Sequence, residues 1–143
     1  MGSMKEVSRL PERTVPNPPV LLYINDLPDL LTIRKAALES HGCSVQTVAT
    51  CLEAFRLLEE TSFDAILLDY KHEGMDARAV AFKIKQRFPS TPIILLSAFY
   101  EMPESILWLV DEYVMRSDMP EGLLRALDRL HRVKQASGGG AVA

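Results

Sequence analysis

Five short segments with the composition of β-strands recur along the chain, and stretches with helical periodicity separate them. The predicted strands are Val20–Ile24, Ser44–Val48, Ala65–Leu68, Ile93–Ser97 and Tyr113–Met115. The first, third and fourth are apolar almost throughout, which is typical of strands that are covered on both faces of a parallel sheet. Strands that alternate with helical segments in this way predict an α/β fold, with a doubly wound five-stranded parallel sheet and helices on both faces.

The helical segments have recognisable start signals. Pro28 lies near the start of the first helix, where its missing N–H does no harm, and Thr50-Cys51-Leu52-Glu53 is typical of a capping box that begins the second. The third helix is predicted from about Ala77 to Phe88 and the fifth from Pro120 onward. The fourth segment, around residues 104–110, is short, and we therefore predict a shortened fourth helix.

The two ends of the chain differ in composition from its middle. Residues 1–18 contain several prolines and charges without periodic apolar positions, so we expect a flexible N-terminal segment. Residues 136–143 are rich in glycine, so we expect a flexible C-terminal tail. The folded domain is therefore predicted to span residues 19–135, which suits one domain in a chain of 143 residues.

Composition and charge narrow the classes of function. A net charge of −3 argues against a nucleic-acid surface, and no apolar stretch approaches the roughly 20 residues of a membrane span. The first residues lack the apolar block of a signal peptide. Cys43 and Cys51 have no neighbouring cluster of potential metal ligands, so we interpret both as reduced packing residues. We expect a cytoplasmic protein that binds neither nucleic acid nor membranes.

Polar residues follow the predicted strands. They are Asn25-Asp26, Asp69, Ser97 and Arg116. We predict the strand order 2-1-3-4-5, a common order for five such units. The first and third strands are then neighbours, and ligands bind at the crevice beyond their carboxyl ends. Two carboxylates that converge there repel each other unless a cation lies between them, and Mg²⁺ is the simplest choice. Such a metal offsets charge on an incoming phosphoryl group, to which Ser97 and Arg116 could also bind.

This ordered set resembles the receiver domain of two-component response regulators, over residues 19–133. The family pattern is an acidic pair after the first strand, a phosphoacceptor Asp after the third, Ser/Thr-Ala after the fourth, and an aromatic residue before a basic one on the fifth. The matching residues here are Asn25-Asp26, Asp69, Ser97-Ala98, Tyr113 and Arg116. Each element alone is weak evidence, whereas five elements in order on the expected strand ends are strong evidence.

The resemblance implies how Asp69 would react. A histidine kinase would phosphorylate Asp69 in a reaction that depends on Mg²⁺ as a cofactor. The metal would be bound by Asp26, by Asp69, by the backbone carbonyl of Lys71 and, through a water molecule, by Asn25. The domain would be a signalling phosphoacceptor and not an enzyme, with at most self-catalysed phosphotransfer and dephosphorylation.

The resemblance also implies a switch and a set of partners. Ser97, Ala98 and Arg116 would bind the phosphoryl group, and Tyr113 would rotate inward as Ser97 moves. The upstream partner would be a sensor histidine kinase or a phosphotransfer protein. The downstream partner would be an effector protein or domain, and a homodimer could form through the face of the fourth and fifth helices.

The chain departs from the family pattern at several positions. Asn25 replaces the first acidic residue and should weaken Mg²⁺ binding, Arg116 replaces a lysine, and Ser117 replaces the usual proline. Arg116 could bind phosphate or remain a permanent counterion of Asp69. An alternative hypothesis is therefore a degenerate pseudo-receiver, an interaction module that works without phosphorylation. A flavodoxin-like enzyme or nucleotide-binding protein is a third hypothesis, although no glycine-rich phosphate loop follows the first strand.

Overall fold

The computed structural model describes residues 18–70, 75–98 and 101–142, with the side chains of the last helix described as far as residue 136. The strands are β1 (Val20–Ile24), β2 (Ser44–Val48), β3 (Ala65–Asp69), β4 (Ile93–Ser97) and β5 (Glu112–Met115). The helices are α1 (Pro28–Glu39), α2 (Cys51–Glu60), α3 (Ala77–Arg87), α4 (Glu104–Leu107) and α5 (Glu121–Val142). A single 3₁₀ turn, Arg116–Asp118, lies between β5 and α5.

The five strands form one parallel sheet in the order β2-β1-β3-β4-β5. The predicted fold class and strand order are therefore confirmed. Because all five strands are parallel, their carboxyl ends meet at one edge of the sheet. The central strand β3 is buried along its whole length, including its last residue, Asp69.

Side chains alternate along each strand, so the sheet separates two hydrophobic layers. One layer contains Leu21 and Tyr23 of β1, together with residues of α1 and α5. The other layer contains Leu22 and Ile24 of β1, together with residues of α2, α3 and α4. The sheet is thus covered on both faces, which explains why β1, β3 and β4 are apolar almost throughout.

Local signals determine where the helices begin. Thr50 accepts a hydrogen bond from the backbone N–H of Glu53 at 3.1 Å, and the carboxylate of Glu53 accepts one from the N–H of Ala49 at 3.2 Å. These reciprocal contacts are the predicted capping box. Helix α3 begins in a similar way, because the Asp76 side chain accepts the N–H of Arg78 at 3.0 Å.

The last two helices differ from each other in length. Helix α4 has four residues, so the predicted shortened fourth helix is confirmed. Helix α5 has 22 residues and continues to Val142, although we expected residues 136–143 to be a flexible tail. The three glycines 138–140 have low helix propensity, and that is why the sequence indicated an earlier end. The boundaries of the folded domain stay a prediction, and residues 1–17 lie outside the described part of the chain.

Helix α4 and its neighbours leave large apolar side chains in solvent. Trp108, directly after α4, is 85% exposed, and Leu107 and Phe82 are also exposed.

Among the residues that the structure describes, none of the helices combines the length and the apolar character needed to cross a bilayer. Both predicted packing cysteines are free thiols, and burial raises the pKa of Cys43 and of Cys51.

Candidate functional site

Asp69 lies at the centre of the site, because it ends the central strand β3 at the carboxyl edge of the sheet. Its side chain is buried, with 3% of the residue exposed. Tyr23 of β1 pairs with Leu67 of β3, so Asp69 lies two residues farther along β3, on the same face of the sheet. Diagonal neighbours of this kind in adjacent strands are within reach of a long aromatic side chain.

The oxygen Oδ2 of Asp69 accepts two hydrogen bonds. The hydroxyl of Tyr23 donates one, and the side-chain amide Nδ2 of Asn25 donates the other. The oxygen of the Asn25 amide accepts the backbone N–H of Leu27 at 2.9 Å, which orients its NH₂ group toward Asp69. Both donors are almost completely buried. This oxygen of Asp69 is therefore occupied by two donors from β1 and its end.

The other oxygen, Oδ1, has a different environment. The nearest charge is the guanidinium of Arg116, whose Nε lies 3.6 Å from Oδ1. That distance allows electrostatic attraction but is too long for a good hydrogen bond. Within the described residues, Oδ1 is buried and accepts no hydrogen bond. Arg116 is 30% exposed at its side chain, and its Nη2 donates to the backbone carbonyl of Tyr70 at 3.4 Å.

Asp26 connects the loop after β1 to the segment after β3. Its Oδ2 accepts the backbone N–H of Met75 at 3.0 Å. The predicted metal ligand Lys71 lies outside the described residues, so its carbonyl is not placed. In the described ranges no group of three or more His, Cys, Asp and Glu side chains is placed to hold a metal. The two described carboxylates, Asp26 and Asp69, suit Mg²⁺, which usually takes one or two carboxylates and keeps several waters.

The predicted switch residues lie on the neighbouring strands β4 and β5. Ser97 is completely buried at the end of β4, one residue beyond Leu96, the partner of Asp69 in the sheet. Ala98 follows in an exposed position. Tyr113 of β5 is partly buried, and its hydroxyl donates to the sulfur of Met115 at 3.2 Å. The structure thus brings Asn25, Asp69 and Arg116 into contact, with Ser97 and Ala98 one strand away.

Sequence reasoning missed Tyr23 as part of the site. It is completely buried in β1, and burial raises the pKa of its hydroxyl, as does the adjacent carboxylate of Asp69. The signal was present, because Tyr23 is the one aromatic residue in an aliphatic strand and precedes Asn25 by two positions. With a period of two, both side chains point to the same face of the sheet.

The family model for the response regulator receiver domain matches residues 21–114. This range includes Tyr23, Asn25, Asp26 and Asp69, and it ends two residues before Arg116. The chain belongs to the response regulator receiver domain family. The predicted family is therefore confirmed.

Curated relatives of this receiver domain include longer regulatory proteins. Transcriptional regulatory protein GlrR of Escherichia coli K12 is 30% identical over 89 residues, which are 62% of this chain and 20% of the relative. Transcriptional regulatory protein TcrA of Mycobacterium tuberculosis H37Rv is 28% identical over 115 residues, which are 76% of this chain and 46% of the relative. The receiver domain thus spans less than half of the length of either relative.

Solved structures of other receiver proteins have the same fold. Response regulator TrrA of Thermotoga maritima in complex with Mg²⁺-BeF has a TM-score of 0.66 and 26% identity, over 78% of this chain and 98% of TrrA. In the complex of TrrA with histidine kinase ThkA, the match has a TM-score of 0.67 and 27% identity, over 78% of this chain and 97% of that chain. A receiver domain from Clostridium thermocellum matches with a TM-score of 0.70 and 24% identity, over 82% and 98% of the two chains.

Proposed function

We propose that this receiver domain accepts a phosphoryl group on Asp69 from a histidine kinase, with Mg²⁺ as cofactor, and that phosphorylation controls the binding of a partner. The observation that supports this most strongly is the environment of Asp69 Oδ1. This buried carboxylate oxygen accepts no hydrogen bond from the described residues and lies next to a cation at the ligand-binding edge of a parallel sheet. Its lone pairs are therefore left for bond formation.

The proposed reaction is phosphoryl transfer to Oδ1 of Asp69. This oxygen attacks the phosphorus of a phosphohistidine, a P–O bond forms, and the P–N bond breaks with its electron pair leaving on the imidazole. Charge develops on the oxygens of the transferring group, and positioned cations stabilise it. Arg116 is suited to this task because its guanidinium already lies 3.6 Å from Oδ1 and is partly open to solvent.

Mg²⁺ would be bound by Asp26, by Asp69 and by the carbonyl of Lys71, and when bound it would offset charge on the phosphoryl group. Asn25 contributes differently from an acidic residue, because its NH₂ group faces Asp69 and its oxygen already accepts the N–H of Leu27. The predicted water-mediated contact of Asn25 with the metal therefore depends on the second lone pair of that oxygen.

The downstream part of the proposal rests on family membership. TrrA, a protein of this fold, was solved with a histidine kinase, which supports a kinase as the upstream partner here. Two longer relatives are transcriptional regulatory proteins, which supports an effector as the downstream partner. Roles for Ser97, Ala98 and Tyr113 in the switch, a homodimer through α4 and α5, and a cytoplasmic location stay predictions.

Intact-mass spectrometry after incubation with acetyl phosphate and Mg²⁺ tests the proposed function. We expect one added phosphoryl group on the wild-type protein and none on Asp69→Asn. Asp128→Asn is the matched control, because Asp128 lies on α5 in an ion pair with Arg132, away from the strand ends. An unlabelled wild-type protein, under conditions that label a known receiver, would overturn the proposal and leave the phosphorylation-independent module.

A further inference from the structure

The hydroxyl of Tyr23 is an unusual neighbour for a reactive carboxylate, because it comes from inside the sheet and not from the crevice. Tyr23 is completely buried, and its ring packs in the layer with Leu21 and Leu67. Its hydroxyl donates to Asp69 Oδ2, and Asn25 Nδ2 lies 3.4 Å from the hydroxyl oxygen while donating to the same Oδ2. The three groups form a closed cluster on one oxygen.

This cluster lies on the side of Asp69 where a metal is expected. Asn25 and Asp26 are consecutive at the end of β1, so a cation held jointly by Asp26 and Asp69 approaches the carboxylate from the β1 side, which is the side of Oδ2. The positive ends of an O–H and an N–H dipole already point at that oxygen. A divalent cation there must displace or weaken hydrogen bonds to a charged acceptor, which are stronger than neutral ones.

The same cluster also fixes the orientation of the carboxylate. With Oδ2 held by one donor from β1 and one from the residue after it, Oδ1 is turned toward Arg116 on the opposite side. A carboxylate that is free to rotate about its side-chain bonds would lose part of this alignment, and alignment of the attacking atom contributes to rate.

We propose that Tyr23 is a positioning residue for Asp69. Its hydroxyl and the Asn25 amide donate to Oδ2, the oxygen that would otherwise bind the cation, and so weaken Mg²⁺ binding. The same two hydrogen bonds direct Oδ1 to the phosphoryl group. This inference rests on the proposed function, in which Asp69 is the acceptor. It adds a second cause of weak metal binding to the missing negative charge at Asn25.

The test compares the wild-type protein with Tyr23→Phe, which keeps the ring and removes only the hydroxyl. The Mg²⁺ dissociation constant is measured by calorimetric titration, and the rate of labelling by acetyl phosphate is measured as a function of Mg²⁺ concentration. We expect Tyr23→Phe to bind Mg²⁺ about tenfold more tightly, which corresponds to about 1.4 kcal/mol. The Mg²⁺ concentration for half-maximal labelling should fall in parallel, while the maximal rate should fall because Oδ1 is less well aligned.

A merely structural role of Tyr23 gives a different pattern. In that case Tyr23→Phe lowers the melting temperature and leaves the Mg²⁺ dissociation constant unchanged or raises it, and either result overturns the inference. Leu21→Val is the matched control, because Leu21 is a completely buried residue of the same strand and layer, at the end away from Asp69. It should lower stability and leave Mg²⁺ affinity unchanged.

A second variant, Tyr23→Met, is used if Tyr23→Phe does not fold. Tyr23→Met fills much of the same space with an adaptable apolar side chain and should give the same gain in Mg²⁺ affinity. Failure of the proposed function is a separate result: neither wild type nor variant is labelled, while the calorimetric affinities still differ. Equal affinities together with normal labelling of the wild type overturn the role of Tyr23 alone.

Discussion

The two sides of Asp69 differ in how completely their polar groups are paired. On the β1 side, Tyr23 and Asn25 both donate to Oδ2 and are almost completely buried. On the β5 side, Arg116 is partly exposed and contacts Oδ1 only at 3.6 Å. A paired oxygen is held in place, and an oxygen with only a distant cation is available for bond formation. The comparison shows a site in which the oxygen that faces β1 already has two donors, whereas the oxygen that faces Arg116 has none among the described residues.

The largest effect is expected from removing the carboxylate itself. Asp69→Asn should abolish labelling by acetyl phosphate, because the amide nitrogen or oxygen is a poor nucleophile compared with a carboxylate. Intact-mass spectrometry over a time course measures this. Labelling of Asp69→Asn at the wild-type rate would place the acceptor elsewhere and remove the basis of the comparison.

Asn25→Asp should make the β1 side of Asp69 depend on a bound cation for its stability. It replaces a donor by a second negative charge next to buried Asp69, so without metal it should lower the free energy of unfolding by about 1–3 kcal/mol. Mg²⁺ should restore that stability, because a cation between the two carboxylates offsets their mutual repulsion. Urea unfolding with EDTA and with Mg²⁺ measures both effects.

Asn25→Ala is the control for this prediction, because it removes the donor without adding charge. It should be destabilised in EDTA, and Mg²⁺ should restore less of its stability than in Asn25→Asp. Equal recovery of both variants would contradict the idea that charge at position 25 limits metal binding.

The pH dependence of the free energy of unfolding tests whether the buried hydroxyl of Tyr23 is held protonated. Burial and the Asp69 carboxylate raise the pKa of Tyr23 above its ordinary value. The stabilisation that protonated Tyr23 gives the folded state is therefore fully present below the unfolded pKa of about 10. It is lost as the pH rises from there through the folded pKa, and the free energy of unfolding falls by up to about 1.4 kcal/mol per pH unit. Urea unfolding above pH 10 should show a shallower loss for Tyr23→Phe than for wild type. Parallel curves would show that Tyr23 is not held protonated by its surroundings.

The smallest effect on stability is expected on the open side. Arg116→Met should change the free energy of unfolding by less than about 1 kcal/mol, because a partly exposed ion pair at this distance contributes little. Labelling by acetyl phosphate should nevertheless slow several-fold, and Arg116→Lys should retain most of the rate because it keeps the positive charge. A large loss of stability with normal labelling would instead identify Arg116 as a permanent counterion of Asp69.

Much of this architecture could be predicted from the sequence. The apolar strands and the capping box at Thr50 are local signals, and β1, β2 and β4 have the predicted bounds. Asp69 was recognisable because a carboxylate at the end of a fully apolar strand is costly unless it lies at an open edge. The strand order was inferred as a common arrangement for five alternating strand and helix units, because periodicity alone does not determine it.

The contacts within the site could not be predicted in the same way. A tyrosine in a strand usually packs as an aromatic residue, and only the register of β1 against β3 shows that its hydroxyl reaches Asp69. The direction of the Asn25 amide depends on the backbone N–H of Leu27, a local contact that the sequence does not specify. Helix α5 continues through three glycines to Val142, which their low helix propensity does not indicate.

The most direct test of the central claim is to identify the phosphorylated residue. After labelling with acetyl phosphate and Mg²⁺, borohydride reduction converts an aspartyl phosphate to homoserine, and peptide mass spectrometry locates it. The account predicts homoserine at position 69 in the wild-type protein and a larger yield at low Mg²⁺ in Tyr23→Phe. Homoserine at another aspartate, or none at all under conditions that label a known receiver, would contradict it.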